Sequence, residues 1–94
     1  MAVDVHVVTP DRVVWTGEAS MVVARGLDGE VGVLAGHSPL LVRLTNGPLR
    51  VEREGRWESF AVEGGFLHVT SSDGRTRVDV LATAVAGTGD EPAA

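Results

Sequence analysis

Turn-forming residues recur about every ten positions along this chain, and they leave room only for short strands. Between the turns apolar and polar residues alternate, as in Val3, Val5 and Val7 around Asp4 and His6. A period of two is typical of strands with one buried face, and valine-rich runs favour extended backbone. Many short strands at this spacing indicate an all-β fold, a sandwich or barrel. The turn sites are Thr9-Pro10-Asp11, Gly26-Leu27-Asp28-Gly29, Asn46-Gly47-Pro48, Glu54-Gly55, Gly64-Gly65 and Asp73-Gly74.

The strands predicted from these turns fill most of the chain, and no segment between them has apolar residues at helical spacing. A chain of 94 residues forms at most one domain. After Val85 the sequence becomes rich in glycine, proline and acidic residues. We therefore predict one antiparallel β-sandwich domain over residues 1–86 and a flexible acidic tail over residues 87–94. The predicted strands are 3–9, 12–18, 20–26, 30–34, 40–44, 48–54, 56–63, 66–72 and 75–82.

The Asp73-Gly74 pair predicts a two-residue hairpin turn of type I′. In that register Ser72 faces Arg75, and His68 faces Asp79 on the outer side, where imidazole and carboxylate form a favourable cross-strand pair. The other side of the hairpin is apolar and is predicted to lie in the core. Its pairs are Leu67 with Val80 and Val69 with Val78.

The Glu54-Gly55 pair predicts a second hairpin, with Glu52 opposite Trp57. Trp57 then lies on the polar face, where it either packs on an arginine stem or anchors a partner. Trp15, in a valine-rich strand, is predicted to lie in the core. The core residues predicted on this second hairpin are Leu49, Val51, Phe60 and Val62.

Missing residue types exclude several kinds of chemistry. Lysine, cysteine and tyrosine are absent, which excludes a phosphate loop with its lysine, Schiff-base chemistry, thiol chemistry and disulfides. The formal net charge of −5 argues against nucleic acid as a partner, because phosphate binding needs clustered positive charge. The three histidines lack metal-ligand spacing. We expect no metal site.

The stretch "DGEVGVLAGHSPLL", residues 28–41, is the densest in glycine and in potential functional groups. No helix is predicted after it, so its glycines do not form a dinucleotide-binding loop. Gly29, Gly32 and Gly36 instead allow positive φ or close chain approach. We predict a short strand, a sharp bend at His37 and Ser38, and a new strand, at a corner where the chain crosses between sheets.

The same stretch contains groups that occur in active sites. His37 next to Ser38 suggests a base and a nucleophile, but adjacent side chains rarely meet in one site, and no nucleophile elbow surrounds them. Asp28 and Glu30 are spaced like paired carboxylates, although solvated turn carboxylates are far more common. A small enzyme or ligand-binding domain that uses Glu30 and His37 remains a minor alternative.

Four segments resemble one family, the epsilon subunit of F-type ATP synthases, called delta in mitochondria. The central one is Gly29-Glu30-x-Gly32-x-Leu34-x-Gly36-His37-x-Pro39-Leu40-Leu41. The opening Val5-His6-Val7-Val8-Thr9-Pro10, followed by Val14-Trp15-Thr16-Gly17, is similar to the family's first hairpin. Val62-Glu63-Gly64-Gly65-Phe66-Leu67-His68-Val69 and Val78-Asp79-Val80-Leu81-Ala82 resemble its double-glycine and closing strands.

The resemblance implies a sandwich of about ten strands, without catalysis or cofactor of its own, between the gamma subunit and the membrane c-ring. Its role would be that of a rotor subunit that couples proton flow to ATP synthesis. The complex would place it peripherally, on the cytoplasmic face of a bacterial plasma membrane. By the same resemblance, Asp28, Glu30 and Val31 face the c-ring, whereas His37, Ser38, Leu40 and Leu41 lie near gamma.

The C-terminal part departs from the family pattern. Family members usually continue into a two-helix hairpin, but nothing after Ala84 has a helical stripe. We therefore expect no hairpin, no nucleotide binding and no regulation by helix extension, in a chain whose acidic tail is typical of a natural end rather than of a cut. A generic β-sandwich interaction module of another assembly is the alternative function.

Overall fold

A computed structural model describes residues 2–86, in which ten strands and no helix are found. The described part therefore has no helix that could cross a membrane. The predicted tail, residues 87–94, lies outside the described residues. The strands are β1 (Val3–Val8), β2 (Val13–Ala19), β3 (Met21–Gly26), β4 (Gly29–Leu34), β5 (Leu40–Arg43), β6 (Gly47–Arg53), β7 (Arg56–Glu63), β8 (Phe66–Ser72), β9 (Arg75–Leu81) and β10 (Ala84–Ala86).

The strands form two five-stranded sheets packed face to face, which confirms the predicted sandwich. Sheet A has the order β2-β1-β9-β8-β5, and sheet B has the order β10-β7-β6-β3-β4. The expectation of antiparallel pairing is wrong for one pair, since β1 and β9 run parallel. A tight hairpin cannot join two parallel neighbours, and here residues 9–74 connect the two strands. The short strand β10, which pairs with β7, was not among the strands placed by sequence.

The core lies between the sheets and consists mainly of valine. Leu49 and Phe60 on the β6–β7 hairpin are fully buried, as are Leu67 and Val69 on β8, so both predicted core faces are confirmed. Full burial of side chains of this size contributes about 1.5–3 kcal/mol each. The other fully buried side chains are Val3, Val5, Val7, Val22, Val33, Val51, Val78 and Val80.

The β8–β9 hairpin has the predicted register, with Ser72 opposite Arg75 and His68 opposite Asp79. Asp73 and Gly74 have φ values of 52° and 75°, as a type I′ turn requires. In the part of the chain that the structure describes, the side chains of His68 and Asp79 do not form the expected pair. The Asp79 carboxylate instead accepts hydrogen bonds from Arg77 Nε at 3.0 and 3.1 Å and from Arg77 Nη2 at 3.0 Å. These bonds and the charge of Asp79 raise the pKa of Arg77.

The two tryptophans are half-buried, one on the outer face of sheet B and one at the edge of the core. Trp57 is half-buried on the outer face of sheet B, with the Arg50 guanidinium carbon 4.6 Å from its ring centre, as expected for packing on an arginine. Trp15 lies on the inner face of β2, opposite the buried Val7, and packs at the edge of the core. It is half-buried because β2 is an edge strand, and its ring packs against Phe60 with 5.9 Å between ring centres. Gly17 gives this ring its space, since a Cβ there would lie 2.9 Å from it.

Candidate docking site at the corner between β4 and β5

The stretch 28–41 forms the corner that the sequence predicted. It contains β4, a bend, and the first half of β5, and it carries the chain from sheet B to sheet A. β4 and β5 are both edge strands, so each leaves one row of backbone donors and acceptors unpaired by its own sheet. An open corner of two edge strands is a surface on which another chain can dock.

A groove of about 310 Å³ runs between the two edge strands. Its walls come from the turn and first half of β4 on one side and from β5 on the other. The groove contains five of the seven side chains predicted to contact partners, so the expected ring-facing and gamma-facing segments meet in one place. The lining residues are Leu27, Asp28, Gly29, Glu30, Val31, Leu40, Leu41, Val42 and Arg43.

The groove combines negative charge with exposed apolar surface. Asp28 and Glu30 are exposed, and neither carboxylate has an ion-pair partner among residues 2–86. Leu27 and Leu41, at its rim, are 58% and 63% exposed. Such a surface fits a partner that offers cationic and apolar groups together, and the charges contribute more to orientation than to affinity.

His37 and Ser38 lie at the bend and do not line the groove. The His37 N–H donates to the Leu34 carbonyl at 3.1 Å, and Gly36 has a φ of 90°, a conformation that favours glycine. His37 Nδ1 lies 2.7 Å from the backbone carbonyl oxygen of Ser38 and makes no bond with its hydroxyl. This local bond does not create a base–nucleophile pair. No cluster of metal-ligating side chains occurs in the described part of the chain.

Gly32 does not have the backbone role that the sequence predicted. Gly29 and Gly36 have positive φ, at 130° and 90°, whereas Gly32 does not. A Cβ at Gly32 would lie 3.1 Å from Cε of Met21, which is the mobile end of a flexible side chain. The bend therefore needs glycine at position 36, while position 32 is an ordinary strand position.

The sequence interpretation missed a second apolar surface, on the outer face of sheet A. Phe66 and Leu81 are cross-strand partners there and are 43% and 49% exposed. Leu41 extends the same face, because β5 pairs with β8 and places Leu41 opposite His68. The signal was present in the predicted register, where Phe66 and Leu81 alternate with core residues. A shallow groove of about 390 Å³ crosses this face, lined by Val8, Thr9, Pro10, Gly65, Phe66, Leu81, Ala82 and Thr83.

The fold and its open corner define a small β-sandwich binding module. The family model described as "ATP synthase, Delta/Epsilon chain, beta-sandwich domain" matches residues 2–87, so this chain belongs to that family. The ATP synthase epsilon chain of Desulforudis audaxviator is 49% identical over 80 residues, which are 85% of this chain and 56% of that protein. The epsilon chain of Frankia casuarinae is 51% identical over 71 residues, 74% of this chain and 84% of that protein.

Solved structures show the same fold. A chain in the cryo-EM structure of the Euglena gracilis mitochondrial ATP synthase with its c-ring superposes with a TM-score of 0.82 and 28% identity, over 90% of this chain and 52% of that chain. A chain of the central stalk and c-ring of the Tetrahymena thermophila mitochondrial ATP synthase has a TM-score of 0.64 at 19% identity, covering 86% and 64%. This chain spans little more than half the length of several relatives. It covers 56% of the Desulforudis audaxviator epsilon chain and 63% of the Brevibacillus brevis epsilon chain.

Proposed function

We propose that this protein is a non-catalytic rotor subunit of a proton-translocating ATP synthase, which fastens the gamma subunit to the membrane c-ring. Membership of the delta/epsilon sandwich family supports this role, as does the similarity to a chain of an ATP synthase structure that includes the c-ring. The observation that carries the proposal is the corner, where two neighbouring edge strands present the two predicted docking segments. The protein would be peripheral to the membrane, on its cytoplasmic face, through the complex alone.

The ring-facing surface consists of Asp28, Glu30 and Val31. Both carboxylates are exposed at the start of β4, and Val31, on the opposite face of the strand from Glu30, is half-buried against the core. They offer acceptors to arginine side chains or backbone N–H groups of polar loops on the ring. Because exposed charge pairs contribute about 1 kcal/mol or less each, several such contacts around the ring surface are needed to hold it.

The gamma-facing surface consists of His37, Ser38, Leu40 and Leu41. Leu41 lies on the outer face of sheet A, whereas Leu40, opposite Val69, is half-buried against the core. The pairing of β5 with β8 places Leu41 opposite His68 and diagonal to Phe66, on the same outer face as Phe66 and Leu81. Exposed apolar side chains that share one face mark protein interfaces. An apolar surface of this kind suits a long-lived contact that must not slip under torque.

The sandwich transmits force because it is rigid. Its core residues are fully buried, and backbone hydrogen bonds join five strands in each sheet. Dense packing makes the interior of a protein nearly incompressible. A displacement of the ring against Asp28 and Glu30 is therefore passed on to the β5 side, and so to gamma, without chemistry in this subunit.

Co-purification from membranes tests the proposal. A tagged copy of the full chain should retain gamma and the c-ring in a fixed stoichiometry. A generic sandwich module of another assembly would have the same fold and unfolding midpoint but would retain neither. Recovery of the folded chain without gamma contradicts the proposed function.

A matched pair of variants tests the gamma-facing surface. Leu41→Ser should weaken gamma binding about tenfold, since full burial of a leucine side chain contributes about 1.5–3 kcal/mol. Leu34→Ser is the control, because Leu34 is also exposed, at 55%, but lies on β4 of the other sheet. Gamma binding is measured by titration with purified gamma. If Leu41→Ser weakens this binding no more than Leu34→Ser does, Leu41 has no specific role in the interface.

A further inference from the structure

We propose that Thr76 is a positioning residue, whose buried hydroxyl holds the corner and so fixes the ring-facing strand relative to the gamma-facing strand. The proposal rests on the proposed rotor function and concerns the same docking corner. Thr76 lies on β9, outside every segment predicted to contact a partner.

Thr76 is a polar side chain in an apolar layer. It is 3% exposed, and the other inward positions of β9, Val78 and Val80, are fully buried valines. Burial of a hydroxyl is costly unless the hydroxyl is hydrogen-bonded. Its Oγ1 accepts a hydrogen bond of 2.7 Å from the N–H of Gly36, which is 40 residues away in sequence. The hydroxyl therefore serves the bend rather than the core.

A second bond comes from the same rung of the β8–β9 hairpin. Ser71 is the cross-strand partner of Thr76, and its hydroxyl donates to the carbonyl of His37 at 3.1 Å. Two neighbouring residues of the bend, Gly36 and His37, are thus bound by one pair of opposing side chains. The β8–β9 hairpin thus anchors the bend through these two hydrogen bonds.

The tether lies at one end of the corner, and backbone bonds close the other end. There the N–H of Leu27 donates to the carbonyl of Arg43 at 3.0 Å. β4 and β5 belong to different sheets, so these end contacts determine how the two strands lie relative to each other. The bond at Gly36 is made by the Thr76 side chain, so one substitution can remove it without changing any strand pairing, while the Ser71–His37 bond stays.

The first measurement is amide hydrogen exchange of the full chain, which reads the tether itself. Thr76→Val removes the hydroxyl and keeps the shape, so the Gly36 amide should exchange about tenfold faster, as expected for the loss of one buried hydrogen bond. Thr76→Ser keeps the hydroxyl and should retain the protection. Thr70→Val is the matched control, because Thr70 lies on the outer face of β8 opposite Arg77. Unchanged Gly36 protection in Thr76→Val would overturn the proposal.

The second measurement is proton pumping per ATP hydrolysed, in membrane vesicles that contain the assembled complex with each variant. At equal incorporation and equal gamma binding, Thr76→Val should lower this ratio at least twofold, while Thr76→Ser and Thr70→Val match the wild type. A Thr76→Val complex that pumps as well as Thr76→Ser would refute the positioning role, even if Gly36 exchanges faster. Failure of the wild-type chain to bind gamma would overturn the rotor function, while the exchange result would still report on the tether.

Discussion

The chain reverses direction in two physically different ways. Within a sheet, Asp73-Gly74 and Glu54-Gly55 close hairpins with positive φ at both turn residues, and a Cβ on either glycine would meet nothing within 4 Å. Between sheets, the connection from β7 to β8 passes through Gly65, where a Cβ would lie 2.0 Å from the carbonyl oxygen of Leu81. The corner at Gly36 is also a crossing between sheets, and side chains from a distant hairpin hold it.

The difference bears on where the proposed docking site lies. A hairpin turn needs only its own residues, so it is locally determined and projects into solvent. A crossing brings backbone of one sheet against the other, so its geometry depends on residues far away in sequence. The docking groove lies at a crossing, and its shape is therefore a property of the whole sandwich rather than of one loop.

The largest expected effect separates the two kinds of reversal. Gly65→Ala should lower the free energy of unfolding by about 3 kcal/mol or more, because the new Cβ meets backbone that cannot move and φ is 98°. Gly74→Ala, in the open hairpin turn, should cost only about 1 kcal/mol from its positive φ. Urea unfolding of the full chain measures both. Similar losses of unfolding free energy in Gly65→Ala and Gly74→Ala would contradict the distinction between crossings and hairpin turns.

A smaller effect concerns binding rather than folding. Glu30→Ala should weaken c-ring assembly about two- to fivefold, since an exposed charge pair contributes up to about 1 kcal/mol. Its unfolding free energy should stay within about 0.5 kcal/mol of the wild type. Binding to isolated c-rings at low and high salt measures the effect, and the difference should shrink at high salt.

Glu18→Ala provides the control for Glu30. Glu18 is also an exposed acidic residue of an edge strand, but it lies on β2, away from the groove. Ring binding should be unchanged in this variant. An equal loss in both variants would show that net charge, and not the position of Glu30, determines ring binding.

The smallest expected effect is at Gly32. Gly32→Ala should change the unfolding free energy by less than about 0.5 kcal/mol, because the backbone there is not left-handed and Met21 can move away. This outcome would contradict the sequence expectation that Gly32 is needed for positive φ or close chain approach. A loss as large as that of Gly65→Ala, measured in the same urea titration, would restore a backbone role for Gly32.

Local rules predicted the hairpins because a two-residue turn fixes the register of its strands. His68 was therefore placed opposite Asp79 correctly, although Arg77 on the same strand binds that carboxylate. The corner was predicted from its glycines, but its anchors were not. Nothing near Gly36 in sequence points to Ser71 or Thr76, because their contact exists only after the sheets have packed.

The edge strands and the outer faces of the sheets were predicted less well than the registers of the hairpins. Trp15 was assigned to the correct face, but the sequence does not show that β2 ends a sheet, which leaves the ring half-buried. The parallel pairing of β1 with β9 and the short β10 are likewise tertiary outcomes. The apolar outer face was available from alternation, since Phe66 and Leu81 share the outward register with His68 and Asp79.

Site-directed cross-linking in the assembled ATP synthase tests the central claim, that one corner faces two different partners, most directly. The chain has no cysteine, so Glu30→Cys and Leu41→Cys each place one thiol at a known point of the groove. We expect cross-links from position 30 to the c-ring and from position 41 to gamma. Cross-links from both positions to the same subunit, or to neither, would contradict it.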